Sequence, residues 1–418
     1  MANYFHRNLE PALKAALKQF PVIIVTGPRQ SGKTSLVKAV LSGSHKYISL
    51  ETPDVRAFAL QDPRGFLERN KPPVVMDEIQ YVPELLNYIK ELVDADRDKM
   101  GQFVLTGSQN FLLMQGVSQS LAGRARILEL YPLALSENPE HRVPVVKNQT
   151  TAADWMLCGS YPELHRRKEL DFRAWQNAYM STYIERDVRQ ILKVGDLNTF
   201  SQFIRVLASQ AGGLLNMSAV STETGISVNS VKNWLSVLNA SYQTIALPPF
   251  YLKFKKRLIH SPKIYFADTG TLSNLLGFSD SKQLLDGPQS GYLFENLVAG
   301  ELFRLFANSG EKPAIYYWRT AANDEVDFIV EWGGKFHAIE CKFTATPSPS
   351  HAKGLAAFAK EIPPAKQGIK AVLYPCDTAL AKSLSSDKIR ILTLAQLSNA
   401  KDIPTFLGLV SLLHRLES

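Results

Sequence analysis

The sequence predicts an α/β protein in three parts: an N-terminal parallel sheet with helices on both faces, a helical middle, and a second α/β domain at the C-terminal end. Three observations predict it. Apolar strand-like runs alternate with amphipathic helical stretches through residues 1–135. Residues 200–241 read as helix, short helix, turn and helix. Residues 325–343, EVDFIVEWGGKFHAIECKF, read as two strands around a Gly-Gly turn, with helical stretches before and after.

A chain of 418 residues suggests roughly two to four domains. Its 45% hydrophobic and 21% charged residues are ordinary globular values. A net charge of +8 and a pI near 9.2 favour an acidic partner such as nucleic acid. Three cysteines, Cys158, Cys341 and Cys376, are widely spaced and lack metal-ligand spacing, so they read as thiols in a reducing compartment. The opening MANYFHRNLEPALKAALKQF has the pattern of an amphipathic helix rather than a signal peptide. No run approaches the roughly 18 apolar residues of a membrane span. These features place the expectation in the cytoplasm, away from membranes.

The first strand leads into the first motif. PVIIVTGPRQSGKTSLVKAVL is a strand, a loop and a helix, and Gly27 to Thr34 fit G-x-x-x-x-G-K-T. In that context the backbone N–H groups of Gly27, Pro28's loop partners Arg29, Gln30 and Ser31, and Gly32 through Ser35 cradle phosphate oxygens. Lys33 is expected to reach the β- and γ-phosphates of ATP, and the Thr34 hydroxyl to ligate Mg²⁺. KYISLE is the next strand, followed by a helix from about Asp54. PPVVMDEIQ then ends a β-branched strand in two acids. Asp77 is the expected Mg²⁺-shell carboxylate, and Glu78 the base that orients the attacking water.

After the helix PELLNYIKELVDA, the strand QFVLTGSQN brings Ser108 or Gln109 toward the γ-phosphate, with a helix N-cap as the second reading of Ser108. SLAGRARILEL follows. Arg124 in it has two readings, an arginine finger or a structural ion pair.

The runs GPRQSGKTSL, VVMDEIQ, LTGSQNFLLM and SLAGRARILELYPLALSE together resemble a family of prokaryotic AAA+ ATPases with a characteristic C-terminal region. GSYPEL (159–164), YIERDVRQI (183–191) and KRLIHSPKIYFADTG extend the similarity over nearly the whole chain. The resemblance implies an AAA+ sheet over residues 1–135, a helical lid over 136–198, a winged helix over 199–270 and a further domain over 271–418. It also implies a homo-oligomer, because an arginine finger usually completes a neighbour's site.

In the lid, WQNAYMSTYIERDVRQIL is amphipathic. Arg186 and Arg189 read either as sensors of a neighbouring nucleotide or as helix-surface ion pairs. In the helix-turn-helix, Gly225 marks the turn, Ser227 the N-cap, and Val231, Trp234, Leu235 and Leu238 the inward face. The wing is TIALPPFYLKFKKRLIHSPKIYFAD, which sets Lys253, Lys255, Lys256, Arg257 and Lys263 among aromatics with no acid between Tyr251 and Tyr265. With Lys232 of the second helix, these cations are the DNA-binding candidates, suited to phosphate more than to base contact. A winged helix used for protein contacts is the alternative.

A two-residue turn at Gly333-Gly334 pairs Trp332 with Lys335, Val330 with His337 and Phe328 with Ile339, and counting on sets Asp327 opposite Glu340. Val326, Phe328, Val330, Ile339, Cys341 and Phe343 then form an apolar face, and Asp327, Glu340 and Lys342 the other. Opposed carboxylates repel unless something neutralises them, and Mg²⁺ or Mn²⁺ would do so with Lys342 beside the bound water. D-x(12)-E-x-K, preceded by Glu295 in the helix GYLFENLVAGELFRLF, resembles the PD-(D/E)XK nuclease core, which implies a restriction-endonuclease-like fold. A surface ion pair of Glu325 with Lys342, or a fold that binds DNA without cutting, is the plainer reading. The whole reads as an ATP-driven DNA-processing protein with metal-dependent cleavage. The alternative is an ATP-dependent switch, in a toxin–antitoxin or defence module, whose C-terminal fold is silent and binds a partner.

Overall fold

A computed structural model describes residues 4–108, 120–138, 148–183, 197–252, 261–375 and 389–412. The chain divides into two units, one of Met1–Leu133, Ala240–Tyr242 and Phe306–Glu311, the other of Ala134–Asn239, Gln243–Leu305 and Lys312–Ser418.

In the first unit the elements run α1 (Glu10–Ala16), β1 (Val22–Thr26), α2 (Lys33–Leu41), β2 (Lys46–Ser49), α3 (Pro53–Gln61), α4 (Pro63–Arg69), β3 (Val74–Asp77), α5 (Leu85–Ala95), β4 (Phe103–Gly107) and β5 (Ala125–Glu129). All the strands are parallel, in the order β2-β3-β4-β1-β5. β1 and β4 are buried at every position, which is why they read as continuous apolar runs rather than alternating ones. Side chains still alternate between the two faces. Val22 and Ile24 pack with Phe66 of α4 and Leu86 and Ile89 of α5, whereas Ile23 and Val25 pack with Leu13 of α1 and Leu36 and Val37 of α2. Because β4 lies between β1 and β3, the loop after β1 and the acids at the end of β3 flank the end of β4.

The second unit opens with α6 (Gln149–Cys158), α7 (Pro162–Arg166) and α8 (Phe172–Tyr183), then α9 (Leu197–Ser209), α10 (Met217–Thr224), α11 (Val228–Ala240), β6 (Thr244–Leu247) and β7 (Lys263–Phe266). Gly225 ends α10 in the left-handed region, φ 70°, and the Ser227 hydroxyl caps α11 by accepting from the Ser230 N–H at 3.1 Å. Val231, Leu235 and Leu238 are buried, and Trp234 packs on Phe200 and Phe203 of α9 at centroid distances of 5.0 and 5.4 Å. β6 and β7 pair antiparallel, and Leu214 bridges to Lys263 on β7 as well. Three helices are thus closed by a hairpin whose second strand is held on both edges.

α12 (Thr269–Leu275), α13 (Ser281–Asp286) and the long α14 (Ser290–Asn308) lead to β8 (Ile315–Arg319), β9 (Glu325–Trp332), β10 (Lys335–Cys341), α15 (Lys353–Glu361), β11 (Gln367–Tyr374), β12 (Ile389–Thr393), α16 (Leu394–Leu397) and α17 (Ile403–Leu412). The mixed sheet runs β12-β11-β10-β9-β8, antiparallel at the β8–β9 and β9–β10 pairs and parallel at β10–β11 and β11–β12. Gly333 and Gly334 turn the hairpin with φ of 58° and 73°, the positive pair that a two-residue turn of this hand requires. The ladder then follows the expected register from Lys335–Trp332 to Ile339–Phe328.

One step further, the structure departs from simple counting. β8 pairs Tyr316 with Ile329 and Trp318 with Val326, so two steps on β8 match three on β9 and a bulge falls at Asp327 and Phe328. The expected apolar face is accordingly broken. Val326 lies against α15, where a Cβ on Gly354 would meet its Cγ2 at 3.6 Å, whereas Phe328 meets Tyr265 of β7 at 5.8 Å. Both faces of the hairpin are buried, so no solvated face exists for the acids.

Gly354 is the closest approach of α15 to this bulge: a Cβ there would sit 1.9 Å from the Glu325 carbonyl oxygen. Gly354→Ala should push α15 off β9 and lower stability by about 1–3 kcal/mol, a melting-temperature loss of several degrees. Gly43→Ala, where a Cβ meets nothing within 4 Å, is the control expected to leave the melting curve in place.

Candidate functional site

The loop between β1 and α2 has the backbone of an anion cradle. Gly27 and Gly32 have φ of 147° and 96°, and Gln30 also has a positive φ, 59°. Gly27 admits no side chain, since a Cβ would fall 2.1 Å from the Leu130 carbonyl oxygen. Gly32 caps α2 without any side-chain cap, leaving the helix N–H groups for a ligand. Lys33, 5% exposed, donates to the Gly27 and Pro28 carbonyls at 3.0 and 2.7 Å, folded back along the loop it is expected to serve. Ser35 is exposed on the first turn of α2, and Arg29 is half-buried.

Asp77 sits at the end of β3, 4% exposed and ringed by hydroxyls. Its oxygens accept from Thr34 at 2.9 and 3.2 Å, from Tyr47 of β2 at 2.5 Å and from Thr106 of β4. Burial, and then the carboxylate itself, pushes the Tyr47 phenol well above its ordinary range, so this donor stays protonated. Thr34 and Asp77 fit a nucleotide-bound Mg²⁺: they meet at one point beside an uncapped cradle, and the ion supplies charge neutralisation for the phosphates when bound.

Glu78 follows in the left-handed region, φ 60°, its N–H donating to Thr106 Oγ1 at 3.1 Å and its carboxylate held by the Gln80 amide. That amide also lies 3.5 Å from Ser108 Oγ, so Glu78, Gln80 and Ser108 form one chain at the end of β3 and β4.

Four residues of this site had no motif to announce them. Tyr47 and Thr106 reach Asp77 through strand order, which no local spacing encodes, and Gln80 turns back on Glu78 two residues before it. Arg7, 5% exposed, donates to the Ser31 carbonyl and to the Tyr131 carbonyl, each at 2.7 Å, pinning the loop to the segment after β5. Arg124 adopts the ion-pair geometry: its Nε and Nη2 donate to Asp94 Oδ1 and Oδ2 at 2.6 and 2.8 Å. Gln109, Arg186 and Arg189 lie outside the described residues.

A second constellation lies in the other unit. Glu295 of α14, Asp327 and Glu340 of the hairpin are 9%, 7% and 8% exposed. Asp327 Oδ2 accepts from the Cys341 N–H at 2.8 Å, and Lys342 pairs with Glu340 Oε1 at 2.6 Å. The largest surprise is Lys263. Expected among the DNA-binding cations, it is 3% exposed, and its Nζ lies 3.0 Å from Glu295 Oε1, 2.5 Å from Glu325 Oε1 and 3.8 Å from Asp327 Oδ1. Glu325 therefore pairs with Lys263 rather than with Lys342.

Tyr265, two residues along β7, donates to the same Glu295 oxygen at 2.5 Å. Burial, then Asp327, pushes Glu295 up to about 7 and Glu340 up to about 8; burial also raises Asp327. Among the described residues no three His, Cys, Asp or Glu side chains are grouped so as to hold a metal ion. The expected Mg²⁺ or Mn²⁺ on Asp327 and Glu340 does not fit this arrangement, in which two lysine ammoniums supply the positive charge.

Of the DNA-binding candidates, Lys232 is exposed on α11, and Lys253, Lys255, Lys256 and Arg257 lie outside the described residues. Cys158 and Cys341 are buried. No helix among the described residues is long and apolar enough to cross a membrane.

The raised carboxyls set a pH dependence. Folded Glu295 and Glu340 hold protons that the unfolded chain releases near 4.5, so stability falls as pH rises from about 4.5 to about 8. The melting temperature should drop across that window, and Glu340→Gln should flatten the drop. A melting temperature that rises from pH 5 to pH 8 would contradict the assignment.

Residues 19–138 match the model of an AAA domain, residues 149–282 a domain of unknown function (DUF8612) and residues 290–397 another (DUF4143). Uncharacterized proteins of Mycobacterium tuberculosis and Mycobacterium bovis are each 32% identical over 348 residues, 82% of this chain and 75% of theirs. Among solved structures, the Walker-type ATPase PABY2304 of Pyrococcus abyssi is similar over 65% of this chain and 96% of its own, with 16% identity and a TM-score of 0.46. The chain belongs to the family of the two mycobacterial proteins and carries at its front the AAA domain of a P-loop ATPase.

Proposed function

We propose that the protein hydrolyses ATP at the loop of Lys33 and Thr34 and uses the cycle to act on DNA through the three-helix and hairpin segment. The observation that carries the ATPase reading is the Thr34–Asp77 contact beside Glu78. Lys33, now on the loop carbonyls, would bind the β- and γ-phosphates, and Thr34 and Asp77 would hold a Mg²⁺ that neutralises phosphate charge. Glu78, released from Gln80, takes the proton of the attacking water, while Ser108 borders the γ-phosphate end. Arg124 serves as a finger only if a neighbouring subunit's nucleotide draws it from Asp94, which ties that role to a homo-oligomer.

DNA as partner is supported by the basic balance of the chain, the acid-free run from Tyr251 to Tyr265, and the exposed Lys232. Helices α9 to α11 followed by a hairpin, with Leu214 bridging to β7, support a winged-helix reading of this segment. The strand order of the C-terminal sheet, preceded by α14 and crossed by α15, supports a restriction-endonuclease-like reading.

A second reading has its own observation. The seat of Lys263 among Glu295, Glu325 and Asp327 favours a C-terminal fold without metal chemistry, hence DNA remodelling without cleavage, or an ATP-dependent switch that docks a partner.

ATP turnover of the pure protein in Mg²⁺ separates these. Lys33→Ala should abolish turnover, and Glu78→Gln should bind ATP while losing about 10²–10⁴-fold in kcat. DNA should raise the wild-type rate, with a salt slope that flattens by about one unit for each phosphate contact removed. Turnover unchanged by single-stranded, duplex and branched DNA would move the reading to the switch.

A further inference from the structure

The carboxylate cluster of the second unit contains a feature that neither ATP hydrolysis nor DNA binding uses. A lysine 3% exposed on a strand of the hairpin reaches acids from two other elements: Glu295 on α14, and Glu325 and Asp327 on β9. An ammonium so buried survives only where charge and hydrogen bonds replace the water it lost. Here two carboxylate oxygens supply it at 2.5 and 3.0 Å, with Asp327 Oδ1 at 3.8 Å and the Tyr317 ring 5.9 Å away.

The backbone behind the ammonium is fixed as well. Lys263 pairs with Leu247 on one edge of β7 and with Leu214 on the other, so its side chain enters the cluster from an anchored point. Glu340 stands beside the cluster with an ammonium of its own. Its Oε1 holds Lys342, while its Oε2 is buried with no hydrogen-bond partner. The bulge at Asp327 turns this carboxylate into the same cluster as Glu295, where a flat strand would have kept strict alternation.

We propose that Lys263 is a tethered cation occupying the position of a divalent ion, so that the wild-type C-terminal domain takes no metal and removal of this one side chain opens a hard-cation site on Glu295, Glu325 and Asp327. The distances are those of an ammonium, 2.5 to 3.8 Å, against about 2.0–2.6 Å for Mg²⁺ or Ca²⁺ to oxygen. As they stand the three carboxylates are spaced for an ammonium and not for a metal ion, and with the side chain gone their oxygens, the ligand type that such an ion takes, can close on the vacated point. The inference goes beyond the ATPase reading, and neither ATP nor DNA enters its test.

The test titrates Mn²⁺ into the nucleotide-free full chain and counts free Mn²⁺ by electron paramagnetic resonance, alongside melting curves in Mn²⁺ and in EDTA. Wild type and Glu295→Gln should bind Mn²⁺ alike, with melting curves indifferent to EDTA. Lys263→Met should gain about one tightly held Mn²⁺ per chain and melt higher in Mn²⁺ than in EDTA. Lys263→Met combined with Glu295→Gln should lose that gain. A wild-type Mn²⁺ site that Glu295→Gln removes would overturn the proposal, even where Lys263→Met fails to fold. A folded Lys263→Met chain that takes no additional Mn²⁺ would overturn it equally.

Discussion

A carboxylate taken out of water has to be given donors or an opposite charge, and both units of this chain are arranged around that constraint. In the ATPase unit Asp77 is given hydroxyls: Thr34, Tyr47 and Thr106, from three separate elements, point at its two oxygens. Hydroxyls bring no charge of their own, so the carboxylate can still share a cation, which is what a nucleotide-binding site requires. In the other unit the acids are given ammonium groups instead. Lys263 and Lys342 neutralise charge on the spot and leave less for an incoming ion to gain.

Strand order explains why the two solutions differ. In the parallel sheet, β4 between β1 and β3 brings the phosphate loop, the acid pair and the β4 end together at one end of the strands. In the mixed sheet both faces of the hairpin are covered, so its acids lie inside the protein and repel one another until something intervenes. Raised carboxyls and seated lysines are two parts of that response. The bulge at Asp327 is the local backbone adjustment that lets the acid meet Lys263 while Val326 stays against α15.

The elements of the ATPase unit were legible because parallel strands buried on both sides are apolar throughout, and because Gly27 to Thr34 is a local motif. Gly333-Gly334 likewise announced its turn and the register beyond it. What could not be read were contacts that join distant segments: Arg7 to Ser31 and Tyr131, Tyr47 and Thr106 to Asp77, and Lys263 to Glu295. Lys263 shows the reason most plainly. In the sequence it closes a basic, aromatic run and looks solvated, and only the pairing of β7 turns it inward. The bulge was invisible for a related cause, since counting from a turn assumes an unbroken ladder and β8 breaks it.

Lys263 and Lys342 neutralise the acids of the second unit internally, and we propose that this unit does no metal chemistry. The direct measurement incubates the wild-type chain with end-labelled single-stranded, duplex and four-way-junction DNA in Mg²⁺ and in Mn²⁺, with and without ATP, beside Asp327→Ala. The predicted result is intact DNA in every lane for both proteins, with ATP still consumed. Cleavage by the wild type that Asp327→Ala abolishes would contradict the account and return the site to metal-dependent catalysis.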